Sequence, residues 1–353
     1  MDLENKRTGK YEGGQMRTEA TLEQWRRLYQ AATMLGEYKP WEKFWDMDLI
    51  GIQNGEEEDT VFFSILGRGG DCYGITVYEG YEGLNDFLML TMHEDMNLSP
   101  EYAMYSQNNL TCYWGNREEL TEKQRKTIKD LGYKYRGKNK WLYFLSFKTG
   151  YFPYNLDQEE VLRMTEHLEN LNLALKCYDE AEVKVDFSKG NMFLFQFLDD
   201  KKAWSFGEAP LPFTAFQYGS LIITDDELLK ELASVPRCNM TIEVDIIPLG
   251  AAVNDKKYDR PANPSLCILA DAKSGMMLHF EMNEPGEDVI ASMAEELLGF
   301  IFEYGAPKEI RVTNVILEAG LEQICKTCGT NLRRVKRLPG IGEFLEEMKG
   351  GIL

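Results

Sequence analysis

The sequence predicts an α+β N-terminal domain with an antiparallel meander, followed by an α/β C-terminal domain with a mixed sheet. The chain has 353 residues, of which 44% are hydrophobic, and this is enough for two domains that each bury a core. Alternating apolar runs separated by glycine turns predict the meander in the first half. Strands that alternate with helices over 264–353 predict crossover connections, and therefore helices on both faces of the second sheet.

Domain limits follow from changes in composition along the chain. The first residues are polar and aperiodic, the middle of the chain is rich in short strands, and the last part alternates strands with helices. The sequence therefore predicts a flexible tail at 1–18, an α+β domain at 19–178, a β-rich segment leading into the C-terminal domain at 179–263, and the α/β domain at 264–353.

Helix caps and a glycine turn define the elements of the first domain. Thr21 is a suitable cap for a helix that runs to Gly36, and Asp157 is one for a helix over 157–173. The glycine-rich tetrad 67–70 lies between two alternating apolar runs. Because no Lys-Ser/Thr pair and no helix follow it, the tetrad predicts a hairpin turn in place of a phosphate-binding loop.

Charge and cysteine usage limit the classes of function. With 39 basic and 58 acidic residues the net charge is −19, which argues against a surface covered in nucleic-acid contacts. No apolar run approaches the ~18–20 residues of a membrane helix, so no membrane partner is expected. Seven cysteines lie scattered through the chain, which predicts reduced thiols and a cytoplasmic protein. Cys325 and Cys328 continue an apolar helix face without a second ligand pair, so they predict core packing.

A basic and aromatic segment at 123–148 stands out within this acidic chain. It has nine Lys or Arg residues and one acid, and aromatic residues lie among them. The candidate nucleic-acid or partner-binding residues are Lys134, Arg136, Lys138, Lys140 and Trp141, with a second patch at Arg333 and Arg334. The cations could contact phosphates while the rings stack on bases. Alternatively, the segment is a solvated basic face with its rings in the core, and this interpretation is favoured.

The first half resembles uncharacterised bacterial proteins of a two-domain family without assigned function. The features that carry this resemblance are the hairpin glycines and a set of short motifs. They are Gly67, Gly70, Gly80, Gly83, Leu131-Gly132, Arg136-Gly137-Lys138, Trp141, Gly150-Tyr151 and Pro153. The resemblance implies no reaction.

The C-terminal part resembles a trimmed ribonuclease-H-like or integrase-core fold. The segment 305–314, GAPKEIRVTN, is similar to the integrase segment in which a helix ends in Gly-x-Pro before a strand that finishes in a catalytic acid. With 265–271 as the first strand, Asp271 matches the first metal-binding aspartate, while Asn314 stands where the second is expected. The first strand pair is expected to lead directly into a helix, without the third antiparallel strand of that fold.

Candidate catalytic residues follow from this resemblance. A two-metal nuclease needs several carboxylates around two Mg²⁺ ions, and the candidates are Asp271, Glu281, Asn314, Glu318 and Glu322. Asp271 and Glu281 are the candidate metal ligands, because a period of two places Met277, His279 and Glu281 on one strand face beside Asp271. No cofactor is expected unless this site is active, in which case it is Mg²⁺. The amide of Asn314 and the solvated character of these acids favour an inactive site.

The leading functional hypothesis is therefore a non-catalytic module that binds a macromolecule, either protein or nucleic acid. A homo-oligomer is one form that such binding could take. The first alternative is a Mg²⁺-dependent nuclease or phosphoryl-transfer enzyme centred on Asp271. The second is a structural subunit whose acidic surface keeps it in solution.

Overall fold

The computed structural model describes residues 17–212 and 221–351. Of the predicted tail 1–18, all but the last two residues lie outside the described residues. The first half of the chain contains, in order, the helices and strands α1 (Leu22–Tyr38), β1 (Ile50–Gln53), β2 (Val61–Leu66), β3 (Gly74–Glu79), α2 (Gly80–Thr91), α3 (Pro100–Tyr105), β4 (Asn109–Gly115), α4 (Glu122–Asp130), β5 (Trp141–Phe147), α5 (Gln158–Glu180), β6 (Asn191–Leu198) and β7 (Ala203–Pro210).

The second half contains α6 (Asp226–Ser234), β8 (Thr241–Pro248), β9 (Ser265–Asp271), β10 (Met277–Asn283), α7 (Val289–Tyr304), β11 (Glu309–Val312), α8 (Val315–Cys328), β12 (Asn331–Arg334) and α9 (Pro339–Gly351). The described strands form two sheets, one of seven strands and one of five. The protein is therefore of mixed α and β structure in both halves.

The seven-stranded sheet has the order β5-β4-β3-β2-β1-β6-β7. Strands β2 and β3 pair antiparallel across the predicted glycine turn, so the hairpin is confirmed. Strand β6 pairs parallel with β1, because the long helix α5 carries the chain back across the sheet. Helices α1 and α5 pack their buried residues, such as Leu28 and Leu168, into the same core.

Helix ends in this half follow the predicted caps at their N-termini. Thr21 and Asp157 each form a capping box, with Gln24 and Glu160 respectively. Both helices run further than predicted, to Tyr38 and Glu180. Gly36 does not end α1; a Cβ atom there would lie 2.6 Å from the indole nitrogen of Trp114, so glycine permits close packing at this point.

The five-stranded sheet has the order β10-β9-β8-β11-β12. Strands β8, β9 and β10 form an antiparallel meander, and β8, β11 and β12 are parallel. The expectation that 265–271 is the first strand of this sheet is wrong, because the preceding strand β8 pairs with β9 across the loop 249–264. The third antiparallel strand that was expected to be missing is consequently present as β10.

Helices cover both faces of this second sheet. Residues of α6, α7 and α8 pack on one face, while Leu338, Ile341 and Phe344 of α9 pack on the other. Cys325 and Cys328 are buried in the larger of these two cores, which confirms the predicted packing role. The segment 179–263 supplies β6 and β7 to the first sheet and β8 to the second; the domain limits themselves remain a prediction.

A buried polar contact joins the loop 249–264 to the first half. The side chain of Arg260 is 2% exposed and donates to Ser146 Oγ at 2.8 Å and to Glu160 Oε1 at 3.2 Å. Ser146 also donates to Glu160 at 2.6 Å. The cation, hydroxyl and carboxylate satisfy one another, as buried charges require. Over residues 17–212 and 221–351, no helix combines the length and apolar content needed to cross a membrane.

Candidate functional site

Asp271 lies at the turn between β9 and β10, and its carboxylate holds that turn. Its Oδ2 atom accepts hydrogen bonds from the backbone N–H of Ser274 at 2.9 Å and from Ser274 Oγ at 2.5 Å. These bonds lower the pKa of Asp271. The contacts describe a carboxylate that caps a turn.

The structure does not bring Glu281 to Asp271. Glu281 pairs with Cys267 on β9, which lies four residues from Asp271, or about 13 Å along the strand. A β-bulge between Met277 and His279 also breaks the expected period of two. Met277 packs on the α9 side of the sheet, so the expectation that it shares a face with His279 and Glu281 is wrong.

The remaining acid-site candidates have structural partners around α8. Asn314 is the N-cap of this helix, and its side chain accepts from the Leu317 N–H at 2.9 Å. Glu318 lies 3.5 Å from Arg334. Glu322 is one turn further along the helix. This arrangement stabilises the start of α8 and its contact with β12.

The basic and aromatic segment divides into exposed cations and packed rings. Lys134, Arg136, Lys138 and Lys140 are exposed. Tyr133, Tyr135 and Trp141 pack against the core of the first half, and the Tyr133 ring stacks on the buried Tyr29 at 5.4 Å. The guanidinium of Arg117 lies 6.0 Å from the Trp141 ring. The cations can reach a phosphate, but the rings are occupied with packing. In the second patch, Arg333 is exposed on β12.

Two acids on β8 were missed by the sequence interpretation. Glu243 is 0% exposed, and its Oε2 atom accepts from the N–H of Ile341 at 3.1 Å, at the start of α9. Burial raises the pKa of Glu243 and raises that of Asp245 to about 7. The Asp245 carboxylate accepts hydrogen bonds from the Ile246 N–H at 3.0 Å and from Thr313 Oγ1 at 3.4 Å. The i, i+2 spacing of these acids in an apolar strand was the available signal.

A second group, which includes the predicted metal-ligand candidate Glu281, lies on the opposite face of the same sheet. His279 and Glu281 of β10 and Glu296 of α7 offer three ligand atoms within 4.8 Å of one another. In the described part of the chain this is the single group of three or more such side chains. The two-residue spacing predicts that His279 and Glu281 share a strand face, but it does not predict Glu296, which the bulge in β10 and the packing of α7 bring to them.

Strand β10 also displays an unusual apolar surface at the edge of the sheet. Met276, Phe280 and Met282 are 60%, 60% and 52% exposed. The Phe280 ring lies 6.3 Å from that of Phe344 on α9. The stretch 274–307, which includes β10 and α7, has seven acidic residues and no Lys or Arg. An apolar edge strand within an acidic unit is thus the most distinctive surface of the second half.

Comparison with known proteins gives no assigned activity. No curated protein matches the chain. A solved structure, the HTLV-2 integrase catalytic core domain in complex with magnesium (trimeric form), is similar at 16% identity over 33% of this chain and 67% of that chain. Its TM-score is 0.23, so this likeness supports no conclusion about fold.

Two families match along the chain, the first over most of the seven-stranded sheet and the second over the five-stranded sheet. Residues 25–195 match the family described as "Domain of unknown function (DUF7309)". Residues 228–349 match "Domain of unknown function (DUF6930)". The predicted resemblance to proteins without assigned function is therefore confirmed, while a bacterial source remains a prediction.

Proposed function

We propose that this chain is a non-catalytic protein-interaction module that binds an extended, basic segment of another protein along β10. The observation that carries the proposal is the exposed apolar surface of Phe280 and Met282 on the edge strand β10 and of Met276 directly before it. An edge strand offers a row of unpaired N–H and C=O groups that an added strand can satisfy.

The outer edge of β10 is open among the described residues, since the strand pairs there with β9 alone. Natural edge strands are usually protected by lysine, proline or a covering loop. The strand sequence MLHFEMN contains neither lysine nor proline. The bulge between Met277 and His279 interrupts the edge at one end only, so 279–283 can accept a partner.

The exposed side chains supply the apolar part of the binding energy. Phe280 and Met282 are more than half exposed, and full burial of such side chains contributes roughly 1.5–3 kcal/mol each. Covering the exposed half of both would therefore contribute about 2–3 kcal/mol. Specificity for alternate side chains follows from the two-residue period of the partner strand.

The charge of the surrounding unit determines the chemistry of the partner. The stretch 274–307 has seven acids and no Lys or Arg. Glu284 forms an ion pair with Lys257, and the remaining acids favour a segment rich in Lys or Arg. The same charge repels a nucleic acid, and it disfavours pairing with β10 of a second copy. The partner is therefore a basic polypeptide.

Several observations favour this function over a nuclease centred on Asp271. The strand order supports the predicted ribonuclease-H-like fold, but with β8 as its first strand. The acids of β8 have other partners: Glu243 accepts from the Ile341 N–H at the start of α9, and Asp245 accepts from the Ile246 N–H and from Thr313 Oγ1. Asp271 itself caps a turn. These contacts support a structural role for the three carboxylates over a two-metal site.

A peptide-binding assay tests the proposal. The probe is a fluorescent seven-residue peptide in which lysine alternates with valine, and the readout is fluorescence anisotropy with the full chain. We expect binding that weakens with salt and is lost in the double variant Phe280→Ser/Met282→Ser. The matched control is Met34→Ser/Met47→Ser, which removes two exposed methionines of the first half.

Two control peptides separate strand pairing from simple charge attraction. A peptide of the same charge with proline at alternate positions cannot donate the ladder hydrogen bonds, so it should bind much more weakly. A peptide with glutamate in place of lysine should not bind. Equal binding of the lysine and proline peptides, or equal loss in both double variants, would overturn the proposal.

A further inference from the structure

We propose that His279, Glu281 and Glu296 form a binding site for a divalent transition-metal ion, and that Zn²⁺ is the ion its donors fit best. The proposal does not rest on the function proposed above. The three side chains lie on the α7 face of the second sheet, whereas Phe280 lies on the α9 face. On the paired strand β9, the partners of His279 and Glu281 lie about 7 Å and about 13 Å from Asp271.

The bulge in β10 creates the ligand pair on the strand. Leu278 packs with the α7 side of the sheet, and the register shift between Met277 and His279 turns His279 to the same side. Glu281 follows two residues later on that side. In a regular strand His279 and Glu281 would share the face of Met277; because Met277 packs on the α9 side, the ligand pair would then not face α7.

Helix α7 supplies the third ligand, and its position is fixed by packing against the sheet. Its neighbours Met293 and Leu297 are buried in the core between α7 and the sheet. Glu296 lies beside them and is half-buried, so its carboxylate is directed towards β10. The ligands therefore come from two elements whose relative position is set by apolar packing.

The distances between donor atoms suit a small cation. His279 Nε2 lies 2.6 Å from Glu296 Oε2 and 3.9 Å from Glu281 Oε2. Ligand atoms about 2.0–2.2 Å from a tetrahedral Zn²⁺ lie about 3.3–3.5 Å apart. The observed separations bracket this value.

His279 provides an independent indication of a missing partner. Its Nε2 atom is shielded from solvent, yet it makes no hydrogen bond within the described residues. The approach to Glu296 Oε2 is short but lacks hydrogen-bond geometry. A shielded imidazole nitrogen without a partner costs free energy, and a metal ion placed between nitrogen and carboxylate would satisfy both.

The two carboxylates also lack a compensating charge. Neither carboxylate forms an ion pair with a Lys or Arg of the described chain; each lies near His279 only. The acidic stretch 274–307 raises the local concentration of cations further. A divalent ion would relieve the repulsion between the two acids.

The donor set distinguishes between metals. Imidazole nitrogen with carboxylate oxygens suits Zn²⁺, whereas Mg²⁺ and Ca²⁺ prefer oxygen ligands alone. Glu281 is exposed and His279 is half-buried, so the site opens to solvent. Three protein ligands then leave the fourth tetrahedral position to water.

Calorimetric titration of the full reduced chain with ZnCl₂ tests this site. We expect one equivalent to bind at the site, with affinity reduced at least about tenfold in His279→Gln and in Glu296→Gln. The matched control Glu295→Gln removes an exposed acid adjacent in sequence and should change the affinity less than about twofold. Circular dichroism shows whether His279→Gln or Glu296→Gln misfolds. If either does, Glu281→Gln replaces it in the test, because Glu281 is the most exposed of the three ligands.

Co²⁺ absorption identifies the ligands when it replaces Zn²⁺. We expect visible bands of a tetrahedral nitrogen and oxygen site that disappear in Glu281→Gln. A strong near-ultraviolet thiolate band would assign the ion to cysteine, and the proposal would be wrong. Mg²⁺ binding as tight as Zn²⁺ binding, equal losses in Glu295→Gln and Glu296→Gln, or no binding in the unmodified chain would also overturn it.

Discussion

Replacing Asp245 by asparagine should stabilise the protein at alkaline pH. Asp245 lies on β8 with a single side-chain partner, Thr313 Oγ1, at 3.4 Å. Burial raises its pKa from 3.8 to about 7, against the smaller opposing effect of the hydrogen bonds from Ile246 and Thr313. Ionisation in the folded state is therefore unfavourable, and the amide of the Asp245→Asn variant would avoid it while retaining an oxygen that accepts the same bonds.

The magnitude and sign follow from proton linkage. Below pH 3.8 the Asp245 carboxyl is protonated in both the folded and the unfolded state, so ionisation contributes nothing. Between 3.8 and about 7 the unfolded state releases its proton while the folded state keeps it, so the free energy of unfolding falls as pH rises. A shift of about three units at ~1.4 kcal/mol each gives a full penalty of roughly 4 kcal/mol above pH 7.

Differential scanning calorimetry of Asp245→Asn at pH 4 and pH 8 measures this effect. We expect a Tm several degrees above that of the unmodified chain at pH 8, and a much smaller difference at pH 4. Asp271→Asn is the control of opposite sign, because Ser274 lowers the pKa of Asp271 and its stabilisation is lost as pH falls. A lower Tm for Asp245→Asn at pH 8, or a difference that does not vary with pH, would refute the reasoning.

Three further predictions concern packing and chemistry. Arg260→Met should cost about 3–5 kcal/mol, because it leaves Glu160 buried without a cation; the addition of Glu160→Gln should recover part of the lost Tm, and no recovery would contradict this. Gly150→Ala should cost roughly 1–3 kcal/mol, since φ is +79° and the new Cβ would lie 2.9 Å from Pro285 Cα; an unchanged urea midpoint would contradict this. The chain should show no Mg²⁺-dependent nicking of DNA or RNA, and cleavage abolished by Asp271→Asn would restore the nuclease hypothesis.

Local signals in the sequence were sufficient to predict helix starts and the first hairpin. The caps at Thr21 and Asp157 depend on side chains within three residues of the cap. The hairpin between β2 and β3 depends on one glycine turn. Such features depend on neighbours along the chain, and tertiary structure changes them little.

The order of strands in the second half depends on a contact distant in sequence. Strands β8 and β9 pair antiparallel although the loop 249–264 separates them. Short turns are the usual signal of an antiparallel pair, so β8 was assigned to the preceding segment. As a result, β9 was expected to be the first strand of the sheet in place of β8. The first metal-binding aspartate was therefore expected at Asp271, the end of β9.

The candidate metal ligands depend on a backbone irregularity and on helix packing. A bulge shifts every side chain after it to the other face of the strand, and the sequence around Met277 and His279 contains no glycine to mark it. Glu296 approaches only because α7 packs on the same face. The apolar residues of β10 were visible in sequence, but their exposure depends on β10 being the edge strand.

Hydrogen exchange along β10 is the most direct measurement of the proposed function. With the alternating lysine and valine peptide bound, we predict slower exchange of outward-directed amides within Met277–Asn283. Exchange in β7, an edge strand of the first sheet, should not change. Tight peptide binding with unaltered exchange in β10, or with protection confined to β7, would show that the partner binds elsewhere and would contradict the proposal.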